Sequence, residues 1–256
     1  MRLHPIDLRI VLVRPRNPLN IAAAARAMMN FGFEELSIVA PHEPVVMESR
    51  AAPGATVILR NAKVEAELLP AIADRTLVLG TSSLSRRKST LPVYSLDQME
   101  AILKDNRKKF RIALLFGSEK TGLRNADLSL CQGIVRIPTD ARCPSMNLGQ
   151  AVAVCCYEMR RIMAHSAASA AVSQTAPPAS VEEITRLADE IAKLSKINST
   201  GRESARSIRL QQLLVTLPLS SQDVTLALGL IRDLAWKFRE FQHTADECTK
   251  RSKTSK

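Results

Sequence analysis

Residues 8–39, LRIVLVRPRNPLNIAAAARAMMNFGFEELSIV, decide the predicted fold class. Residues 8–13 and 36–39 are short apolar runs rich in β-branched side chains, which is typical of strands. The alanine-rich stretch between them has the composition of a helix. The sequence therefore predicts one strand–helix–strand unit, the connection that parallel neighbouring strands require.

The ends of the intervening helix are marked by residues suited to those positions. Asn17 is a good N-cap, and Pro18 suits the first helical turn, where its missing N–H costs nothing. Gly32 follows as a residue that readily adopts the left-handed conformation at a helix C-terminus. We therefore expect a helix over residues 19–31.

Strand and helix patterns continue to alternate through residue 163. Further strands are expected at residues 76–80, 112–116 and 134–137. Helices are expected at residues 65–74, 96–104, 125–131 and 148–163, with a short one around residues 49–59. This alternation predicts an α/β fold in which a mainly parallel sheet is flanked by helices on both faces.

A change in composition after residue 163 predicts a second part of the chain. Residues 164–180, AHSAASAAVSQTAPPAS, are small and uncharged apart from a histidine, which indicates a linker. Beyond it we expect a small helical C-terminal module over residues 181–249, with helices at residues 181–197, 210–217 and 224–238. The basic tail, residues 250–256, is expected to be disordered.

The charge of the chain favours a polyanionic partner. Lysine and arginine total 36 against 25 acidic residues, a formal net charge of +11. The first part, residues 1–163, carries +8, from 23 basic and 15 acidic residues. Such a charge attracts nucleic acid, although it could also serve solubility alone. Aromatic residues make up only 4% of the chain, so contacts to phosphate are expected rather than base stacking.

The composition disfavours several classes of protein and site. The five cysteines have no CxxC spacing and the four histidines are scattered, so neither a disulfide framework nor a metal site is expected. The longest apolar runs are too short to span a membrane, and the N-terminus lacks an apolar stretch of signal-peptide length. We therefore expect a cytoplasmic protein with no membrane partner.

Polar residues and glycines follow the predicted strands. Residues 81–88 (TSSLSRRK) offer hydroxyls and then three cations, and residues 116–122 (FGSEKTG) resemble a glycine loop without the spacing of a P-loop. Such strand ends meet at one edge of a parallel sheet, where ligands bind. An ordinary strand-to-helix turn would also explain residues 116–122. A lone arginine on a helix is usually only solvated, but Arg26 stands between alanines on the first helix, which also suits it to phosphate recognition.

Three stretches together resemble the signature motifs of the TrmH family, a branch of the SPOUT RNA methyltransferases. They are NPLNIAAAAR at residues 17–26, LFGSEKTG at residues 115–122, and IP followed by PSMNL within residues 137–148. The match covers residues 8–163 in the order and spacing of the family. Within that branch, residues 80–86 (GTSSLSR) and the helical extension resemble the TrmJ type, which methylates the ribose 2′-oxygen of tRNA at position 32 of the anticodon loop.

The resemblance implies a trefoil knot in the C-terminal part of the sheet, a homodimer, and S-adenosylmethionine held in the knot. Position by position, it implies cofactor contacts from Thr81, Ser82, Ser83, Gly117, Ile137, Pro144, Ser145 and Met146. Two departures are that Ala22 and Ala23 stand where the family often has glycine, and that Met146 replaces the more usual leucine.

The resemblance also implies roles in catalysis and RNA binding. Arg26 matches the arginine regarded as catalytic, which would hold the target phosphate and ribose and stabilise the 2′-oxyanion. Supporting polar groups are expected at Asn20, Glu119, Ser145 and Asn147, although Asn20 could be an ordinary first-turn residue and Asn147 a helix cap. Contacts to RNA are expected from Arg14, Arg86, Arg87, Lys88 and Arg142, and Arg142 could equally face only solvent.

The leading hypothesis is therefore an S-adenosylmethionine-dependent tRNA 2′-O-methyltransferase that binds RNA and not DNA. Three alternatives remain open at this point. The protein could methylate ribosomal RNA within the same family, methylate a base nitrogen on the same fold, or be a non-catalytic RNA-binding protein that uses its basic surface alone. The C-terminal module could serve dimerisation, RNA capture or both.

Overall fold

The structure is a computed structural model that describes residues 7–42, 56–83, 91–103, 110–166, 177–194 and 203–253. Within these ranges the chain forms a seven-stranded sheet with helices packed against it. None of the described helices has both the length and the apolar character that crossing a membrane requires.

All of the strand pairs in the sheet are parallel, which confirms the predicted α/β class. The strand order is β3-β2-β1-β6-β4-β7-β5. The strands are β1 (Asp7–Val13), β2 (Glu35–Val39), β3 (Lys63–Glu65), β4 (Leu77–Thr81), β5 (Val93–Ser95), β6 (Arg111–Phe116) and β7 (Gly133–Arg136).

Helices connect the strands and extend the chain beyond the sheet. The first six are α1 (Pro18–Phe31), α2 (Thr56–Asn61), α3 (Leu68–Ile72), α4 (Met99–Leu103, preceded by a 3₁₀ turn at Leu96–Gln98), α5 (Asn125–Leu128) and α6 (Leu148–Ser166). Three more follow in the C-terminal module, namely α7 (Val181–Leu194), α8 (Glu203–Thr216) and α9 (Ser221–Lys253).

The first strand–helix–strand unit forms as the sequence predicts. Helix α1 begins with Pro18, and the side-chain oxygen of Asn17 accepts a hydrogen bond from the Leu19 N–H at 2.9 Å. It ends at Gly32, whose φ of 75° lies in the left-handed region that glycine enters without a steric penalty. The caps therefore fix both ends of the helix that carries Arg26.

Two apolar cores cover the two faces of the sheet. Alternate residues of β1 divide between them, because side chains along a strand point to opposite faces. Ile10 and Leu12 pack with helices α1 and α6 on one side. Val11 and Val13 pack with helices α3 and α5 on the other. Full burial of such side chains contributes about 1.5–3 kcal/mol each to folding.

Several sequence-based boundaries were wrong. Strands β3 and β5 were missed because three-residue edge strands carry too few residues for a periodic pattern. The helix expected at residues 65–74 is shorter, because Glu65 is the last residue of β3 and only Leu68–Ile72 is helical. The helix expected around residues 49–59 is seen at Thr56–Asn61, and residues 49–55 lie outside the described ranges.

The C-terminal module is helical, with a small core of its own shared by α7, α8 and α9. It also docks onto the sheet domain, since the backbone N–H of Val181 donates to the Arg75 carbonyl at 2.8 Å and Val181 joins the second core. The linker contains fewer residues than the range 164–180 that the sequence predicts. Helix α6 runs through Ser166, and Ala179 is buried. Helix α9 continues to Lys253, so the tail predicted to be disordered begins as helix.

Candidate active site

A cavity of about 590 Å³ opens at the carboxyl ends of β4, β6 and β7. This volume lies in the usual range for small-molecule sites, and the position is the one at which open α/β sheets bind ligands. All the residues predicted to contact a cofactor line it, namely Thr81, Ser82, Ser83, Gly117, Ile137, Pro144, Ser145 and Met146. Segments far apart in sequence therefore converge on one site.

The loop that follows β6 forms one wall of the cavity. A Cβ atom on Gly117 would lie 2.1 Å from the carbonyl carbon of Gly122, so the close backbone approach requires glycine there. Gly122 has a φ of 66°, and its N–H donates to the Ser118 carbonyl at 2.7 Å. The loop is thus folded tightly on itself and presents backbone and small polar groups to the cavity.

The opposite wall comes from the end of β4 and the segment after β7. The Thr81 hydroxyl donates to the Leu115 carbonyl at 2.8 Å, which ties β4 to β6 at the cavity. The Thr139 hydroxyl donates to the Pro144 carbonyl at 3.1 Å and closes the short loop that carries Ser145 and Met146 to the rim. Hydroxyls, backbone groups and a thioether fit a ligand such as S-adenosylmethionine, which has both polar and apolar parts.

A hydrogen-bonded chain of side chains joins the three signature stretches. The Asn20 amide donates to the Glu119 carboxylate at 2.9 Å, and the Asn147 amide donates to the Asn20 side-chain oxygen at 2.9 Å. Asn147 also accepts the Gly149 N–H at 2.9 Å, so it caps helix α6 as well. Asn147 therefore is a helix cap, one of the two roles considered from the sequence, and its bond to Asn20 leaves the supporting catalytic role a prediction.

Glu119 is the centre of this network. Its carboxylate also accepts the backbone N–H groups of Arg16 and Asn17, at 3.1 and 3.2 Å. Burial alone would raise the pKa of Glu119, but the hydrogen bonds from Asn20 and from backbone N–H groups outweigh it and hold the pKa below its usual range. Glu119 is therefore ionised at neutral pH and acts as an acceptor that locks the β1–α1 connection to the cavity loop.

Arg26 lies outside the cavity wall, on the exposed side of α1. It is six residues beyond Asn20, or about 9 Å along the helix axis. Among the described residues no carboxylate pairs with its guanidinium. Helices α1 and α6 approach closely beside it, since a Cβ atom on Gly149 would lie 2.6 Å from the Cβ of Ala23. Small neighbours thus leave the guanidinium of Arg26 accessible.

The predicted RNA contacts divide into three groups. Arg14 has a φ of 55°, and its guanidinium pairs with both oxygens of the buried Asp127 carboxylate, one of them at 3.1 Å. Because that charge is compensated inside the protein, a structural role accounts for Arg14 better than a contact to RNA. Arg142 pairs with Asp140 at 3.0 Å on the surface. Residues 86–88 lie outside the described ranges.

Sequence reasoning missed Asp127 as a part of this site. Besides binding Arg14, its carboxylate accepts the backbone N–H of Arg124 and so holds the start of α5, which contributes Leu128 to the cavity. This ion pair cannot be predicted from a local sequence pattern, because Arg14 and Asp127 are 113 positions apart in the sequence. Only the adjacency of β1 and β6, with Leu12 opposite Phe116, brings these two regions together.

Comparisons with known proteins agree with this arrangement. Residues 7–157 match the model of the SpoU rRNA Methylase family. A tRNA (cytidine/uridine-2′-O-)-methyltransferase TrmJ from Sodalis glossinidius is 39% identical over 157 residues, and a tRNA (cytidine/uridine/adenosine-2′-O-)-methyltransferase TrmJ from Pseudomonas aeruginosa is 41% identical over 157 residues. Each match covers 60% of this chain and 60% of the relative's own length.

The similarity extends to a solved structure. The crystal structure of TrmJ from Z. mobilis ZM4 superposes with a TM-score of 0.75 at 29% sequence identity. That alignment covers 89% of this chain and 98% of the other, so it includes helices beyond the sheet domain. The family match spans more than half of the chain and contains every strand of the sheet. The chain therefore belongs to the SpoU rRNA methylase family.

Proposed function

We propose that this chain is an S-adenosylmethionine-dependent RNA ribose 2′-O-methyltransferase that acts on tRNA at position 32 of the anticodon loop. The observation that carries the proposal is the convergence of all the expected cofactor contacts on one cavity. The similarity to two tRNA 2′-O-methyltransferases favours a tRNA ribose over ribosomal RNA as the target. Both names include cytidine and uridine, and one also includes adenosine, so we propose a pyrimidine as the first target to test.

The residues around the cavity have separable tasks in this proposal. When bound, S-adenosylmethionine supplies a methyl group made electrophilic by its sulfonium. Arg26 holds the target phosphate and ribose and stabilises negative charge that develops on the 2′-oxygen. A guanidinium remains protonated at physiological pH, so Arg26 orients and stabilises the nucleophile, and the proton of the 2′-hydroxyl is released to water as the methyl group leaves the sulfonium.

The Asn20–Glu119–Asn147 network supports this step by positioning. It fixes the first turn of α1, the cavity loop and the start of α6 relative to one another. Methyl transfer needs the nucleophile and the sulfonium in line, and correct placement supplies a large part of such rate enhancements. Ser145 lies on the rim of the cavity, where its hydroxyl can bind cofactor or ribose.

We further propose the trefoil knot and the homodimer that the family resemblance implies. The match of residues 7–157 to the family supports the knot, and helix α6 packs on α1 after the last strand of the sheet. The surface of α1 and α6 supports a dimer, because Leu19, Met29 and Tyr157 are exposed there. Exposed apolar side chains grouped on two packed helices are typical of an interface. Analytical ultracentrifugation of the wild type and of Met29→Glu tests the dimer. The substitution places a carboxylate in the proposed interface and should dissociate the dimer into monomers.

The function is tested by incubating the protein with methyl-labelled cofactor and separate tRNA and ribosomal RNA substrates. Nucleoside mass spectrometry should find 2′-O-methylcytidine or 2′-O-methyluridine in tRNA only. Methylated bases, or methylation restricted to ribosomal RNA, would overturn the assignment to tRNA ribose. Calorimetry tests the alternative of a non-catalytic RNA-binding protein. A protein that only binds RNA should not bind S-adenosylmethionine at micromolar concentration, whereas a methyltransferase should.

A further inference from the structure

We propose that Arg16, Lys120 and Arg124 form a phosphate-binding rim for the RNA backbone beside the cavity. The inference deepens the proposed function and rests on it for the identity of the nucleic acid. The three residues, called here the rim cations, are not part of the sequence-derived set of RNA contacts. They are identified by position, by exposure and by the lack of a carboxylate partner among the residues that the structure describes.

The fold brings the rim cations to one place. Arg16 follows β1, while Lys120 and Arg124 follow β6, the neighbouring strand in the sheet. The backbone N–H of Arg16 binds the Glu119 carboxylate at 3.1 Å, which ties it to the residue preceding Lys120. Lys120 itself lines the cavity. The rim is therefore contiguous with the candidate active site.

The rim cations are exposed and keep their charge available. Their side chains form no ion pair with any carboxylate in the described part of the chain, whereas Arg14 and Arg142 each have one. The two nearby acids are already engaged. Glu119 accepts hydrogen bonds from two backbone amides and Asn20, and Asp127 pairs with Arg14. The rim therefore has a net positive charge of +2 when Glu119 is counted with its three cations.

An extended polyanion fits this surface better than a small anion. The three cations are carried by two separate loops and are solvent-exposed, so they do not enclose a pocket for one phosphate. Lysine and arginine spread along a surface neutralise successive phosphates of a nucleic acid and release its counterions. Such contacts position the substrate without reading its sequence, which suits a rim outside a cavity in which the reaction occurs.

The test measures tRNA affinity as a function of salt for Arg16→Gln, Lys120→Gln, Arg124→Gln and the triple variant. The salt slope is the slope of log K for tRNA binding plotted against log salt concentration. Each lost phosphate contact should reduce its magnitude by about 0.7–0.9, which corresponds to a roughly fivefold weaker Kd near 0.15 M salt. Arg16→Lys should retain the slope, because it keeps the charge. Arg16→Gln and Arg124→Gln should leave cofactor affinity unchanged, because neither side chain lines the cavity.

Lys63→Gln and Arg111→Gln are matched controls. Both residues are exposed cations that begin strands β3 and β6, at the edge of the sheet opposite the cavity. They should leave both the salt slope and the affinity unchanged. The rim is refuted if the triple variant keeps the wild-type slope, or if the controls lose as much affinity as the rim variants. Unchanged melting temperatures show that each variant is folded.

Failure of the rim and failure of the proposed function give different results. A wild-type protein that methylates tRNA, with rim variants that bind tRNA as tightly as wild type, refutes the rim and retains the function. If the wild-type protein transfers no methyl group but the rim variants show a reduced salt slope of tRNA binding, the proposed function is refuted. The rim then stands as an RNA-binding surface.

Discussion

Arg26 differs from the other arginines near the cavity in what surrounds it. Arg14 is bound to Asp127 and Arg142 to Asp140, but the exposed guanidinium of Arg26 has no carboxylate partner among the residues the structure describes. Alanines flank it in sequence, and it lies on the exposed side of α1. A cation in this setting is free to bind a phosphate and a ribose oxygen, which is the role proposed for it.

Replacement of Arg26 by alanine should separate catalysis from cofactor binding. Loss of a group that stabilises a developing oxyanion typically costs about 10²- to 10³-fold in rate. Arg26 does not line the cavity, so the Kd for S-adenosylmethionine should stay within about twofold of wild type. Single-turnover methylation of tRNA and calorimetry measure the two quantities. A wild-type methylation rate in the Arg26→Ala protein would contradict the assigned role.

The pair formed by Arg14 and Asp127 should position the cavity loop. Arg14→Met leaves the buried Asp127 carboxylate without its counterion, which should cost roughly 2–4 kcal/mol of stability and weaken cofactor binding. Asp127→Asn should also weaken binding. The combined variant should lose less than the sum of the two single losses, because each change removes the same interaction. Urea unfolding and cofactor titration complete this double-mutant cycle, and strict additivity would argue against the pair.

Among the elements, those that build the site were the ones most readable from the sequence. Strand β1, helix α1 and strand β6 are long enough for clear patterns, and Asn17, Pro18 and Gly32 mark the helix ends. The edge strands β3 and β5 escaped notice, since their pairing depends on a neighbouring strand more than on their own residues. The Arg14–Asp127 pair was also unreadable, because it depends on strand adjacency over a long sequence separation.

Substitution of Gly117 by alanine tests the loop as an element. The added Cβ would lie 2.1 Å from the Gly122 carbonyl carbon, so the loop cannot keep its fold without a backbone shift. We expect the Kd for the cofactor to rise at least tenfold. Gly117 lies in a loop, outside every described helix and strand, so the far-ultraviolet circular dichroism spectrum of the protein should be unchanged. Gly229→Ala is a suitable control, because nothing lies within 4 Å of the position of its added Cβ. Undiminished cofactor binding in Gly117→Ala would show that the loop adapts freely.

At the scale of the whole molecule, a charge cluster holds the edge of the sheet opposite the cavity. Arg9 and Arg75 are buried there and bind the carboxylates of Asp7, Glu35 and Asp74. The backbone carbonyl of Arg75 also accepts a hydrogen bond from the N–H of Val181, the first residue of the C-terminal module. The cluster therefore links β1, β2, α3 and α7, while the opposite edge of the same sheet is left for ligand binding.

The cluster predicts a specific dependence of stability on pH. Burial would raise the pKa of Asp74, but hydrogen bonds from Arg75 and Arg9 outweigh it and hold the pKa well below its usual range. A carboxyl whose folded pKa is depressed stabilises the protein above its unfolded pKa of about 3.9, and that contribution is lost as the pH falls below it.

Asp74→Asn should accordingly lower the free energy of unfolding by about 1 kcal/mol at pH 7, a value discounted for the partial exposure of the carboxylate. The difference from wild type should stay constant down to about pH 5 and shrink as the pH falls further. Asp189→Asn, on the exposed face of α7, is the control and should change stability little. Urea titrations at several pH values measure this, and a difference that grows in acid would refute the linkage.

In the proposed function, the cavity holds the cofactor and Arg26 orients the ribose in tRNA that is methylated. The most direct measurement is mass spectrometry of tRNA fragments after incubation with the cofactor and either the wild type or Arg26→Ala. We expect one added methyl group on the ribose of nucleotide 32 with the wild type, and almost none with the variant. A methyl group on a base, or equal ribose methylation by both proteins, would contradict the proposed function.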